Sequence, residues 1–99
     1  MRSSASANPV PNPIVVWGGG GHGHVVIDIL RTLGGWTLAG IVDSVNPAGS
    51  RIMDVPVLGD AEILPALRQQ GVAHLVVAIG NCSARAQMLR HARSLGFQT

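Results

Sequence analysis

Four short apolar runs punctuate the chain, and the glycine and polar positions between them set the order of its elements. Ile14-Val15-Val16-Trp17 is rich in β-branched residues and closes on glycines, which predicts a strand buried on both faces. Thr37 to Val42, closing on Asp43-Ser44, predicts a second strand, and Leu75 to Ile79, closing on Gly80-Asn81, a further buried one. Val55-Pro56-Val57-Leu58 is expected to pair only at a sheet edge, because Pro56 donates no hydrogen bond. From His22 to about Leu33, the residues Val25, Val26, Ile29, Leu30 and Leu33 recur at helical spacing, with His24, Asp28 and Arg31 on the other side. That predicts a helix with its apolar stripe on the core, stopped by Gly34-Gly35. Asp60 is expected to cap a second helix, which starts either at Ala61 with a kink at Pro65 or near Leu64 with Pro65 in its first turn. A third helix runs from about Ala84 to Leu95, with Ser83 as its cap and Gly96 as its stop.

The alternation of strands and helices predicts an α/β fold, a small Rossmann-like parallel sheet of βαβαβα order flanked by helices. In such a sheet the strand exits share one edge, and ligands bind there. A single domain is expected over residues 14–99. Met1 to Pro13, rich in Ser, Ala, Asn and Pro, reads as a disordered N-terminal tail without the apolar stretch of a signal peptide.

Composition narrows the class. The hydrophobic fraction is 46% and the charged fraction 12%, so the chain buries a core and is not a disordered polymer. All seven basic residues are arginines, scattered without clusters or interleaved aromatics, which argues against nucleic acid as a partner. The one cysteine, Cys82, permits no internal disulfide, and no apolar run approaches a membrane span. A cytoplasmic location is the expectation.

The chemistry concentrates at the strand exits. Gly18, Gly20 and Gly23 satisfy G-x-G-x-x-G between a predicted strand and a predicted helix. There, glycines allow a tight turn, and free N–H groups with the helix dipole face a diphosphate. Gly20 is expected at positive φ, leaving its space to the ligand. A glycine-rich turn needed only for packing is the competing reading, and the Walker loop is excluded because its lysine is missing. His22, inside the turn, can donate to a phosphate or to a neighbouring carbonyl. Asp43 follows Gly23 at the separation where an acid meets a ribose hydroxyl, or else it forms a local turn with Ser44. Gly80-Asn81-Cys82-Ser83 offers amides, a carboxamide and a hydroxyl at a helix start, suited to a binding loop or an ordinary cap. His24, His74 and His91 read as surface or boundary residues with no metal-ligand spacing, and Cys82 has no paired base. No catalytic residue and no metal site are expected.

Val15-Val16-Trp17-Gly18-Gly19-Gly20-Gly21-His22-Gly23-His24-Val25-Val26, then Gly40-Ile41-Val42-Asp43, Pro56-Val57-Leu58-Gly59 and Val77-Ala78-Ile79-Gly80-Asn81, resemble one family in order. It is the N-terminal domain of the PglD/NeuD-like sugar O- and N-acyltransferases of sialic-acid and bacillosamine pathways. The resemblance covers nearly everything from Ile14 to Phe97, and its most specific feature is the histidine after the glycines. It implies a UDP-sugar-binding domain, with contacts at Gly20, Gly21 and His22, at Asp43 and Ser44, and at Gly80 with Ser83. It also implies a separate left-handed β-helix that binds acetyl-CoA and carries the catalytic histidine. These residues contain no hexapeptide repeat, so the chain is expected to be truncated, to bind no cofactor itself, and to act with a β-helix partner or as a homo-oligomer. Two departures stand out: Gly19 and Gly20 replace the Ala and Ser often found there, and Ser44 replaces a second acid. The alternatives are an NAD-binding half-domain of an oxidoreductase and a non-catalytic ligand-sensing domain.

Overall fold

The computed structural model describes residues 10–99, so most of the tail expected over 1–13 lies outside the described residues. Strand β1 (Pro13–Trp17) feeds helix α1 (Gly21–Leu33), followed by β2 (Thr37–Val42), β3 (Arg51–Ile52) and β4 (Val55–Gly59). A 3-10 turn (Ala61–Ile63) leads into α2 (Leu64–Gln69), then β5 (His74–Val77) and α3 (Cys82–Ser94). The sheet order is β3-β4-β2-β1-β5, parallel except for β3 against β4. The order reverses at β1, which places a topological switch point between β1 and β5.

Alternation along the strands builds two cores. Ile14, Val16 and Ile41 point to one face, where Ile27 and Leu30 of α1 meet them. Val15, Val42 and Leu75 point to the other, covered by Leu64 and Leu67 of α2 and by Ala92 and Phe97 at the α3 end. Fully buried side chains such as Ile27, Ile41 and Leu64 stabilise the layers by roughly 2 kcal/mol each.

Four expectations need correction. Of the stripe expected on α1, Leu30 is buried and Val26 partly so, but Val25, Ile29 and Leu33 are exposed, and Gly23 and Ile27 complete the buried face instead. β4 is not an edge strand: β3 pairs on its other side through a hairpin whose turn residues, Met53 and Asp54, both have positive φ. Pro56 is tolerated because the β2 pairing begins one residue later, at Ile41 with Val57, and Val57 makes the bonds to the loop preceding β3. The cap of α3 is Asn81, whose side chain accepts from the Ala84 N–H at 2.9 Å, and not Ser83. Gly20 has φ −87°, so no positive φ is required of it. Pro65 falls in the first turn of α2, the second of the two starts considered, and Asp60 caps the preceding 3-10 turn.

Candidate functional site

The exits of β1, β2, β4 and β5 are laced to one another by three backbone hydrogen bonds. Gly18 N–H donates to the Val42 carbonyl at 2.8 Å, Asp43 N–H to Gly59 at 2.9 Å, and Ala78 N–H to Trp17 at 2.9 Å. The loops after β1, β2, β4 and β5 are therefore held in one row along one edge of the sheet.

Within the glycine turn, the residues divide by what surrounds them. Gly18 has φ +129°, and a Cβ there would sit 2.5 Å from the Ala78 carbonyl oxygen. A Cβ on Gly23 would collide with the Gly18 carbonyl oxygen, which lets α1 start hard against β1. Gly20 and Gly21 face open space. Among the described residues, the N–H groups of Gly20, Gly21, His22 and Gly23 have no backbone acceptor. Four amides at a helix N-terminus form an electropositive end suited to an anion.

Asp43 ties the turn to the β2 exit. Its Oδ1 accepts the Gly19 N–H at 3.2 Å, and its Oδ2 accepts the Asn46 N–H at 2.9 Å and Asn46 Nδ2 at 2.8 Å. Burial alone would raise the carboxyl, but the hydrogen bonds from the Asn46 N–H, the Asn46 side chain and the Gly19 N–H outweigh it and hold the pKa below the ordinary 3.8. Asp43 thus makes the local bonds of a turn residue and, in addition, orients the glycine turn. Asn46 was missed in the sequence; its position three residues after an aspartate was the available signal.

His22 is exposed, and its ring lies against Gly80: a Cβ on Gly80 would stand 2.9 Å from His22 Cε1. The turn and the β5 exit thus meet at the switch point. Ser44 and Ser83 are exposed, and Asn81 is occupied as a cap. His24 Nδ1 is 2.7 Å from the Gly20 carbonyl oxygen, while His74 and His91 stack edge-on to Trp36 and Trp17. Among the described residues no group of His, Cys, Asp or Glu is placed to hold a metal, and no helix is long and apolar enough to cross a membrane.

Two hollows open beside the row of exits. One, of about 490 Å³, is walled by Trp17, Ile79 and Met88; the next, of about 540 Å³, lies over the β2 exit loop. Asp43, Ser44, Asp60 and Glu62 line both. Glu62 was not picked out in the sequence, and Asp60 only as a cap, because nothing local shows that the turn after β4 stands beside Asp43.

Comparison with known proteins adds a lineage to this geometry. No curated protein matches the chain. Among solved structures, a mutant of perosamine N-acetyltransferase from Caulobacter crescentus, in complex with CoA and GDP-perosamine, is 46% identical with a TM-score of 0.78. The match covers 86% of this chain and 39% of that one, so the present chain spans well under half the length of that relative. The acetyltransferase domain of PglB from Neisseria gonorrhoeae, in complex with acetyl coenzyme A, is 32% identical with a TM-score of 0.73, covering 90% of this chain and 42% of that one. UDP-D-quinovosamine 4-dehydrogenase from Vibrio fischeri, 11% identical with a TM-score of 0.73 over 90% of this chain and 75% of that one, shares the Rossmann-like fold. The family model described as the PglD N-terminal domain matches residues 13–92. A glycine turn with its histidine, joined to the β2 and β5 exits over nearly the whole matched length, is thus found in a chain that belongs to the PglD N-terminal domain family.

Proposed function

We propose that this domain binds a nucleotide-activated amino sugar as the substrate-binding part of a sugar acetyltransferase. The observation that carries the reading is the set of four amides from Gly20 to Gly23, unpaired among the described residues, at the switch point with His22 against Gly80. It occurs in a chain 46% identical to part of an enzyme whose structure holds GDP-perosamine. The diphosphate lies on these amides, where backbone donors and the helix dipole stabilise its charge. The nucleoside extends toward Asp43 and Ser44. The sugar extends the other way, toward Gly80 and Ser83, with Asn81 holding that loop in place. The sequence resemblance implies a UDP-sugar, whereas the solved relative holds a GDP-sugar; both present the same diphosphate to the turn. Acetyl-CoA and the transfer step belong, on this reading, to the β-helix domain that the resemblance implies.

Titration calorimetry with GDP-mannose, UDP-N-acetylglucosamine and NAD tests the proposal. At least one nucleotide sugar is expected to bind about tenfold or more tightly than NAD, equivalent to about 1.4 kcal/mol. Tighter binding of NAD would assign the turn to a dinucleotide and overturn the reading.

A further inference from the structure

We infer that the outer face of α1 is the seat of the acetyltransferase part that this chain does not match. The inference rests on the acetyltransferase reading and gives it a contact surface. Val25, Ile29 and Leu33 recur at every fourth residue and so form one row along the helix, and they are 59%, 50% and 70% exposed. Asp28 and Arg31, the two charged residues of the helix, fall to one side of that row. A continuous apolar row left in water marks a contact surface. It also lies on the less covered face of the sheet. There α1 alone packs on Ile14, Val16 and Ile41, whereas α2 and α3 both cover the other core.

The position and the size of the row decide its occupant. At the start of α1, Gly21, His22, Val25 and Val26 line a hollow of about 440 Å³, so a body seated on the row also abuts the crest of the glycine turn. At the far end, Leu33, Trp36 and Val76 line another of about 410 Å³ together with Gln98 and Thr99. Gln98 runs there along the outer edge of β5: its N–H donates to the Ala73 carbonyl at 2.8 Å, and its carbonyl accepts the Leu75 N–H at 2.9 Å. The matched family is an N-terminal domain, and the relative that holds CoA extends well beyond the match, so the rest of such an enzyme leaves the domain at this flank. One apolar row thus leads from that flank to the amides proposed for the diphosphate, where the thioester and the acceptor sugar have to meet. A helix face about 18 Å long and about 10 Å wide is smaller than the roughly 800 Å² per partner of a standard complex between free proteins. Domains joined in one chain hold together through contacts of roughly 600–1,500 Å² in total, because the link raises their effective concentration. The row therefore suits a joined catalytic part and not a second free copy of this chain.

The test fuses this chain, at Thr99, to the unmatched part of the Caulobacter crescentus relative, with and without Ile29→Lys or Leu33→Lys. In the chain alone, both substitutions should leave the melting temperature and nucleotide-sugar affinity unchanged, because the side chains stand in water. In the fusion, calorimetry should show one melting transition for the two parts. Either lysine should split it in two and slow acetyl transfer to GDP-perosamine by about tenfold or more, with nucleotide-sugar affinity kept. Two transitions in the unsubstituted fusion, or a single one untouched by both lysines, would overturn the assignment. Sedimentation velocity of the chain alone should show a monomer; a dimer abolished by Leu33→Lys would give the row to a second copy and overturn it too. Coupled melting without any nucleotide-sugar binding would overturn the functional reading and leave the contact standing.

Discussion

Gly18 and Gly23 close the two ends of the glycine turn against backbone, whereas Gly20 and Gly21 at its crest touch nothing within 4 Å. The motif is therefore divided. Its ends are needed to bring α1 against β1 and β5, and its crest is left open. The packing and binding readings of G-x-G-x-x-G are usually posed as alternatives; here packing accounts for Gly18 and Gly23, and the proposed binding falls to Gly20 and Gly21.

The comparison can be broken at either part. Gly23→Ala should have the largest effect on stability, because the new methyl meets the Gly18 carbonyl and neither backbone can move without shifting β1. A loss of about 3 kcal/mol is expected, seen as a fall in Tm of more than about 10 °C. A melting temperature within a degree or two of the native chain would show that the α1 start is not held by this contact.

Asp43→Asn is the intermediate case, since it weakens the strut between the turn and the β2 exit without crowding anything. About 1 kcal/mol is expected near neutral pH, reduced by the partial exposure of the site. Because the folded pKa lies below the ordinary 3.8, the contribution of the charge is fully present above about pH 4 and is lost as the pH falls through the depressed value. Denaturant titrations of both proteins from pH 7 downward should show a constant gap that closes only in acid. A gap unchanged at about pH 2 would mean that the charge contributes nothing.

The smallest stability effect belongs to Gly20→Ala. Its Cβ enters open space at a negative φ, so the change should cost less than about 1 kcal/mol as an altered helix cap. Binding of GDP should nevertheless fall by about tenfold or more, because the methyl takes the place of the diphosphate. Unchanged binding in a folded Gly20→Ala protein would move the anion off the crest.

Much of this was legible along the chain. The apolar runs became strands, the glycine turn appeared between a strand and a helix, and Asp43 and Gly80 mark exits of the same edge. The β3–β4 hairpin was not legible, because its turn is Met53-Asp54, two residues with no strong preference for the positive φ they adopt. The bond between Asp43 and Gly19 and the carboxylate of Glu62 were hidden for another reason. Each gains meaning only from a neighbour supplied by a different loop, Gly19 for Asp43 and Asp43 for Glu62.

Helix α1 shows where local pattern ends and tertiary structure begins. By itself, the sequence determined that a helix runs from His22 to about Leu33 after a glycine turn, because helical spacing and Gly34 are local properties. It did not determine which side of that helix faces the sheet. Its apolar residues cover more than half of its circumference, so Val25, Ile29 and Leu33 and the rival row Gly23, Ile27 and Leu30 are both at helical spacing. The rotation is settled by contact at Gly23, where the absence of a side chain lets the helix approach the Gly18 carbonyl, and that approach turns Ile27 and Leu30 into the core while leaving Val25, Ile29 and Leu33 outside.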